Sequence, residues 1–344
     1  MLSNALNTLL SGAPLDDAAA TDAMTRIMNG EANSAQIAAL LTALRMKGES
    51  VDEITAFARV MRARSLHVPT GRTPLVDTCG TGGDLCKTFN ISTAAAFVTA
   101  SAGVAVAKHG NRSVTSKCGS ADVLEALGFR IDLTPEAVGR CIDEVGIGFL
   151  FARNHHPAMQ HAAGVRTDLG IRTVFNALGP LTNPAGATRQ VVGVYDESLC
   201  PLLAKVLLNL GSEHVLVVHG NAGLDEIATF GLTTISEGRK GVVETYQIAS
   251  GDLGIDEASP EAVSPGADAA ENAAILRAVL GGDDRGARRD IVLANAGAAL
   301  YVAGEADSLR AGATRAGELI DSGAAWASLD RLRRFTVEMA RAAV

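Results

Sequence analysis

Asp77-Thr-Cys-Gly-Thr-Gly-Gly-Asp84 decides how this chain is read. A short apolar run, Pro74-Leu-Val76, leads into it, and a small-residue helical pattern, Asn90-Ile-Ser-Thr-Ala-Ala-Ala-Phe97, leads out. The order is strand, glycine turn, helix. Three glycines in four positions remove side chains and permit positive φ, so a ligand can meet the backbone closely. Free N–H groups and the positive end of a following helix then form an anion site. The stretch is not a Walker loop, because Lys87-Thr88 follows Cys86 where a glycine is required. It is not a dinucleotide fingerprint, because Leu85 stands at the last glycine position. Asp84 would repel a bare polyphosphate, and makes sense if it meets a metal or a sugar hydroxyl. The plainer alternative is a connecting turn with an N-capping aspartate.

Working outward, the chain alternates strands and helices. Strand candidates are 75–76, 104–107, 147–151, 190–194 and 215–218, with helices between them, the pattern of a mainly parallel sheet. Runs at 232–235 and 242–248 suggest a hairpin or edge addition, and from about Asp268 the chain reads as helix. Before the sheet, residues 1–68 read as helices only. Asn33-Ser-Ala-Gln36 and Ser50-Val-Asp-Glu53 are capping boxes, each followed by apolar residues at helical spacing. Val68-Pro-Thr-Gly-Arg-Thr-Pro74 is a turn-rich linker and candidate hinge. So small a helical module is expected to pack on another part of the chain or on a second subunit.

With 344 residues, 47% of them hydrophobic, the chain has room for one large or two moderate domains. A formal charge of −8 argues against a general nucleic-acid surface, and no apolar run approaches the ~20 residues of a membrane span. The first residues lack the features of a signal peptide. Five cysteines without a Cys-x-x-Cys pair suggest reduced thiols and a cytoplasmic location. Cys79, Cys86 and Cys118 lie near the glycine turn, and no partner base marks them as nucleophiles, so they read as space-fillers.

Three further stretches carry chemistry. Lys108-His-Gly-Asn-Arg-Ser-Val-Thr-Ser116, then Lys117, follows the second strand and opens on the same sheet edge as the glycine turn. Its cations and small hydroxyls suit a multiply charged phosphate, where a solvated basic loop is the plainer reading. His219-Gly-Asn-Ala-Gly-Leu-Asp-Glu226 ends in adjacent carboxylates that suit Mg²⁺ if a polyphosphate lies opposite, and are otherwise helix-start decoration. In the stretch from His155 to Pro184, His155, His156 and His161 lack zinc spacing and read as ordinary packed histidines. Arg166, among apolar neighbours, is suited to grip a carboxylate.

Together these motifs, with Gly119-Ser-Ala-Asp-Val-Leu-Glu-Ala-Leu-Gly128 and Arg172-Thr-Val-Phe-Asn-Ala-Leu-Gly-Pro-Leu-Thr-Asn-Pro184, resemble the anthranilate phosphoribosyltransferase family, of the nucleoside phosphorylase-like class IV. The likeness runs from the N-terminal helices to about Glu244. It implies an α/β fold with a small all-helical domain and a large domain whose mainly parallel sheet is flanked by helices. The expected division is 1–70 for the helical domain, with about 155–185 packing back onto it, and 71–154 plus 186–344 for the large one. It implies transfer of phosphoribose from phosphoribosyl pyrophosphate to anthranilate in tryptophan biosynthesis, with Mg²⁺ as cofactor, and a homodimer formed through the helical domain.

By matching motif, the resemblance places Gly80, Thr81, Gly82, Gly83, Asp84 and Thr88 on phosphoribosyl pyrophosphate, with Asn90, Ile91, Ser92 and Thr93 beside its pyrophosphate. Lys108, His109, Gly110, Asn111, Arg112, Ser113, Val114, Thr115, Ser116 and Ser120 complete that site. Gly80, His109, Asn111 and Arg166 line the anthranilate site, while Ser92, Asp225 and Glu226 bind Mg²⁺. Lys108 and Arg166 act by positioning, with no general base. Departures are small: Leu85-Cys86-Lys87, Thr115, Cys118 and Thr167-Asp168 vary without removing a matched residue. The mechanism implied is displacement through an oxocarbenium-like transition state, with assisted pyrophosphate departure and an arylamine already neutral at pH 7. The alternatives are a pyrimidine nucleoside phosphorylase-like enzyme, a paralogue acting on another aromatic amine, or a non-catalytic phosphosugar- or nucleic-acid-binding relative.

Overall fold

A computed structural model describes residues 2–83, 88–113 and 118–342. Four helices open the chain: α1 (Leu2–Leu10), α2 (Asp17–Met28), α3 (Ser34–Lys47) and α4 (Val51–Ala63). Both expected capping boxes form, Asn33 with Gln36 and Ser50 with Glu53, satisfying N–H groups that a helix start leaves open. Gly48, at φ 85°, stops α3.

The alternating part follows as β1 (Leu75–Gly80), α5 (Ile91–Ser101), β2 (Ala105–Gly110), α6 (Ser120–Ala126), α7 (Pro135–Arg140) and β3 (Ile147–Phe151). Then come α8 (Ala152–His155), α9 (Gln160–Leu169), α10 (Val174–Leu178), β4 (Arg189–Gly193), α11 (Leu199–Asn209) and β5 (His214–Gly220). A hairpin, β6 (Leu232–Arg239) and β7 (Val242–Ala249), precedes α12 (Ala269–Gly281), α13 (Ala287–Ala303), α14 (Leu309–Asp321) and α15 (Ala324–Ala342). Among the described residues one seven-stranded sheet forms, in the order β3-β2-β1-β4-β5-β6-β7. The first five strands are parallel, and the hairpin joins antiparallel beside β5.

β1 and β2 both run further than their apolar patterns. β1 takes in Asp77, Thr78, Cys79 and Gly80, and β2 takes in Lys108, His109 and Gly110. Most of these polar residues find partners inside the sheet, as described below, so the strands can continue through them. Hydrophobic alternation divides the sheet's two faces. On β5, Val215 and Val217 join a core with α1–α4, α9, α10 and α11, while Leu216 and Val218 join the opposite core with α5 and α12–α15. The helical module thus packs on this chain. α9 contacts α2 and α3, α10 contacts α3 and α4, and α11 contacts α4. The linker is pinned: Val68 N–H donates to the Pro184 carbonyl at 3.1 Å, and Gly71 N–H to Asp143 at 3.0 Å.

The strand order places the site. The chain winds from β1 to β2 and β3 on one side, then returns to β4 and β5 on the other. β1 and β4 therefore flank the switch point, where adjacent loops leave in opposite directions and open a crevice beyond the C-terminal strand ends. The glycine turn lies at that crevice.

Candidate active site

The turn leaves β1 at Gly80 and is held from several sides. Thr81 N–H donates to the Gly193 carbonyl at the end of β4 at 2.9 Å, and Tyr195 N–H donates to Thr81 Oγ1 at 3.2 Å. Gly82 N–H donates to Asp225 Oδ2 at 3.0 Å, and Arg172 Nη2 donates to the Gly83 carbonyl. Gly82 and Gly83 have φ of 66° and 76°, the left-handed region in which a side chain would be strained. Asp84 lies outside the described residues, as do Val114, Thr115 and Ser116.

Beneath the turn is a buried polar layer. Asp77, the first residue of the motif, accepts from His109 N–H at 3.0 Å and from Asn183 Nδ2 at 2.8 Å. Asn183 also donates to the Ala107 carbonyl at 2.8 Å. Burial pushes the Asp77 carboxyl up, opposed by the Lys108 charge and these hydrogen bonds. Lys108, expected in a basic loop, is instead buried within β2. Its ammonium donates to the Thr78 carbonyl and, at 3.4 Å, to Ser92 Oγ. Burial lowers its pKa, opposed by the carboxylates of Asp77, Glu226 and Asp225.

The carboxylate pair follows β5 with no helix start after it, so helix-start decoration is excluded. Glu226 Oε1 accepts from Ser92 N–H at 3.1 Å, at the start of α5. Burial raises the Asp225 carboxyl, with the Gly82 N–H opposing. Ser92, Asp225 and Glu226 thus bring hydroxyl and carboxylate oxygens toward one corner of the crevice, beside Lys108. Hard oxygens of this kind are the donor set that Mg²⁺ takes.

The remaining residues divide. Asn111, Arg112 and Ser113 leave β2 toward α6, and Ser120 Oγ donates to the Asn111 carbonyl at 3.2 Å. Arg112 does not stand free for a phosphate in this structure. It pairs with Asp122 at 2.9 Å and Glu125 at 2.5 Å, and lies 5.7 Å from the Phe151 ring centroid. Ile91 and Thr93, in the first turn of α5, are buried, so α5 offers ligands its backbone start and Ser92. Asn90 is occupied with the Cys118 carbonyl at 3.2 Å. Thr88 is partly buried just before it.

The His109 and His156 rings pack against each other, tilted by 54° with centroids 5.2 Å apart. Nε2 of each is buried without a hydrogen-bond partner among the described residues. Burial, then the neighbouring imidazoles, hold His109 well below its ordinary value, and burial takes His156 to about 4, so both are neutral. His155 Nδ1 meets the Leu66 carbonyl at 3.3 Å, a packing role. Arg166, in the last turn of α9, lies 5.5 Å from the Phe175 ring centroid and pairs with no carboxylate among the described residues. Burial raises the thiols of Cys79 and, to about 11, Cys118, so neither is a thiolate near neutral pH.

Asp77, Asn183, Tyr195 and Arg172 support the site, and none is assigned a site role from the sequence, although Asp77, Arg172 and Asn183 lie in the motifs quoted above. Asp77 carried a usable signal, a carboxylate opening the motif inside an apolar strand. Tyr195 carried none.

Two family models match the chain: "Glycosyl transferase family, helical bundle domain" over residues 3–65 and "Glycosyl transferase family, a/b domain" over residues 72–326. The anthranilate phosphoribosyltransferase of Rubrobacter xylanophilus is 54% identical, covering 99% of each chain. The crystal structure of the Thermus thermophilus anthranilate phosphoribosyltransferase superposes with a TM-score of 0.91 at 44% identity, covering 96% of this chain and 99% of that one. The Saccharomyces cerevisiae enzyme, in complex with PRPP (phosphoribosyl pyrophosphate) and Mg, gives a TM-score of 0.88 at 29% identity and 98% coverage of both.

Proposed function

The chain belongs to the anthranilate phosphoribosyltransferase family, and from that premise we propose how its residues divide the work of the reaction. The enzyme moves the phosphoribosyl group of phosphoribosyl pyrophosphate onto the amine of anthranilate. The C1–O bond to pyrophosphate breaks, a C1–N bond forms, and the nitrogen releases a proton.

Phosphoribosyl pyrophosphate lies along Gly80, Thr81, Gly82 and Gly83, beside Asn90 and Ser92, with the segment from Asn111 to Ser113 and Ser120 at its far end. Asp84, Val114, Thr115 and Ser116 are assigned to the same substrate on motif alone. Lys108 works from below, its ammonium close to Ser92 and fixed by the Thr78 carbonyl, so its charge is in place before the leaving group develops its own. Ser92, Asp225 and Glu226 would hold Mg²⁺. When bound, that ion supplies positive charge to the departing pyrophosphate.

Anthranilate enters between α9 and the end of β2. Arg166 orients its carboxylate through a bidentate fork, and Asn111, Gly80 and the neutral edge of His109 line the ring and amine. The arylamine is a neutral nucleophile at pH 7, so positioning takes the place of a general base. A single observation supports this most strongly: the glycine turn and the carboxylate pair, far apart in sequence, meet at the β1/β4 crevice through Gly82 and Asp225. The protein is further assigned as a cytoplasmic homodimer. Cys79, Cys141 and Cys200 are free thiols, and Leu10 and Met46, on α1 and α3, are 70% and 83% exposed. Among the described residues no helix is long and apolar enough to cross a membrane.

The test is to mix the protein with Mg²⁺, phosphoribosyl pyrophosphate and anthranilate and follow anthranilate fluorescence. The expected result is loss of signal that requires all three. No loss, with turnover of another aromatic amine, would reassign the acceptor. Sedimentation of the purified protein at twice the chain mass is expected for the dimer.

A further inference from the structure

The guanidinium of Arg172 has two partners of different kinds. It donates from Nη2 to the Gly83 carbonyl, and its Cζ lies 4.0 Å from the centroid of the Tyr195 ring. Tyr195 is itself bound to the turn, its backbone N–H donating to Thr81 Oγ1 at 3.2 Å. Thr81, Gly82 and Gly83 are thus each held by a different segment: the end of β4, the loop after β5, and the connection between α9 and α10. Arg172 supplies the last of these, six residues beyond Arg166.

The need for such a hold is physical. Gly82 and Gly83 both lie at positive φ, and glycine pairs have many other conformations to visit. An anion site made of backbone N–H groups works only while those groups point one way. A carbonyl clamp fixes the peptide plane that follows Gly83. The clamp is itself fixed, because a planar guanidinium stacked on an aromatic ring keeps its donors in one orientation. An ammonium at this position would keep the charge and lose the planar stack that fixes the donor's direction.

We propose that Arg172 is a positioning residue, which holds the glycine turn in its observed left-handed shape by clamping the Gly83 carbonyl while stacked on Tyr195. The proposal rests on the assignment of phosphoribosyl pyrophosphate to this turn. Arg172 acts through backbone geometry, and its effect depends on the directed Nη2 hydrogen bond and the ring more than on charge.

Four variants of the full chain, Arg172→Ala, Arg172→Lys, Tyr195→Leu and Tyr195→Phe, test it by KM and kcat for both substrates and by thermal melting. Arg172→Ala and Arg172→Lys are both expected to raise the KM for phosphoribosyl pyrophosphate about tenfold or more, the equivalent of one charge-assisted hydrogen bond. Tyr195→Leu leaves the arginine's charge but removes its platform, and is expected to raise the same KM several-fold. Tyr195→Phe keeps the ring and should stay within twofold of wild type. Melting temperatures near wild type separate this from a general structural defect. If either arginine variant melts low, the two tyrosine variants decide. A wild-type KM in Arg172→Lys would show that charge alone suffices, and a wild-type KM in Tyr195→Leu would show that the stack is idle. Either result overturns the proposal. A wild-type protein that does not consume phosphoribosyl pyrophosphate overturns the substrate assignment and this proposal with it. Active wild type with unaltered variants overturns this proposal alone.

Discussion

The Asp225 carboxylate accepts the backbone N–H of Gly82 at 3.0 Å, joining the loop after β5 to the glycine turn after β1. The contact is possible because both neighbouring strands end in glycine. A Cβ on Gly80 would come within 2.8 Å of Asp225 Oδ2, and one on Gly193 within 1.6 Å of the Asp225 carbonyl oxygen. Two missing side chains therefore let a carboxylate and the glycine turn share one crevice.

Gly193→Ala tests that packing. The new methyl meets backbone at both the carbonyl oxygen and the carbonyl carbon of Asp225, the latter at 2.4 Å, so the loop itself must move. Overpacking of this kind costs about 1–3 kcal/mol. Because the displaced residue is Asp225, kcat should fall along with the melting temperature. Gly251→Ala, where a Cβ meets nothing within 4 Å, is the control and should change neither. Equal behaviour of the two variants in melts and steady-state kinetics would refute the account.

Asp225→Asn with Glu226→Gln removes two negative charges and keeps the shape. The amide oxygens of the two replacements can still accept from the N–H groups of Gly82 and Ser92, so the fold should survive. Charge stabilisation by a metal is worth several kcal/mol, which corresponds to roughly 10²–10³-fold in rate. The double variant is expected to lose that much kcat and to lose its response to added Mg²⁺. Titrating Mg²⁺ against rate gives the answer, and an unshifted Mg²⁺ dependence would remove both residues from the metal site.

Glu53 offers a pH test of the helical module. Its carboxylate is fully buried and accepts from Leu15 N–H at 2.9 Å, Ser50 N–H at 2.8 Å and Lys47 Nζ at 2.9 Å. Desolvation alone would raise its pKa, but these three donors outweigh it and the net shift is down from 4.5. A depressed carboxyl pKa means stability that is fully present above 4.5 and is lost as pH falls through the lower, folded-state value. Glu53→Gln should cost about 1.5–3 kcal/mol at pH 7. That gap should narrow below pH 4.5, while other carboxylates titrate alike in both proteins and cancel. Melting curves from pH 7 down to 3 measure it, and a gap independent of pH would count against the ionised role.

Much of this was legible in the sequence. The capping boxes at Asn33 and Ser50, the glycine turn, the parallel alternation and the edge hairpin all rest on local chemistry that spacing displays. Lys108 was legible as a residue and not as an environment. Its burial under Thr78 and Ser92 depends on where β1 and α5 run, which no local pattern states. Arg112 is the reverse case. It sits in a basic stretch, yet its partners Asp122 and Glu125 lie one helix further on and meet it only once α6 folds back. Tyr195 and Arg172 were invisible as site residues for the same reason, since their contacts with Thr81 and Gly83 are long-range.

In the proposed reading, acceptor recognition turns on Arg166. Its guanidinium is partly buried on the Phe175 face, and burial lowers its pKa without any carboxylate among the described residues to compensate. A half-desolvated cation held on an aromatic ring is prepared for an anionic partner that the protein does not itself provide. The carboxylate of anthranilate has the right charge and planarity. Arg166→Ala should therefore raise the anthranilate KM by about 10- to 100-fold, as expected for a lost charge-assisted pair of 1.5–3 kcal/mol. The KM for phosphoribosyl pyrophosphate should stay within twofold, because Arg166 lies on α9 and makes no hydrogen bond to the described residues of the glycine turn. Arg166→Lys should recover only part of the loss, since an ammonium cannot offer two parallel donors. Steady-state kinetics with each substrate varied in turn decides it, and an unchanged anthranilate KM in Arg166→Ala would move the carboxylate site elsewhere.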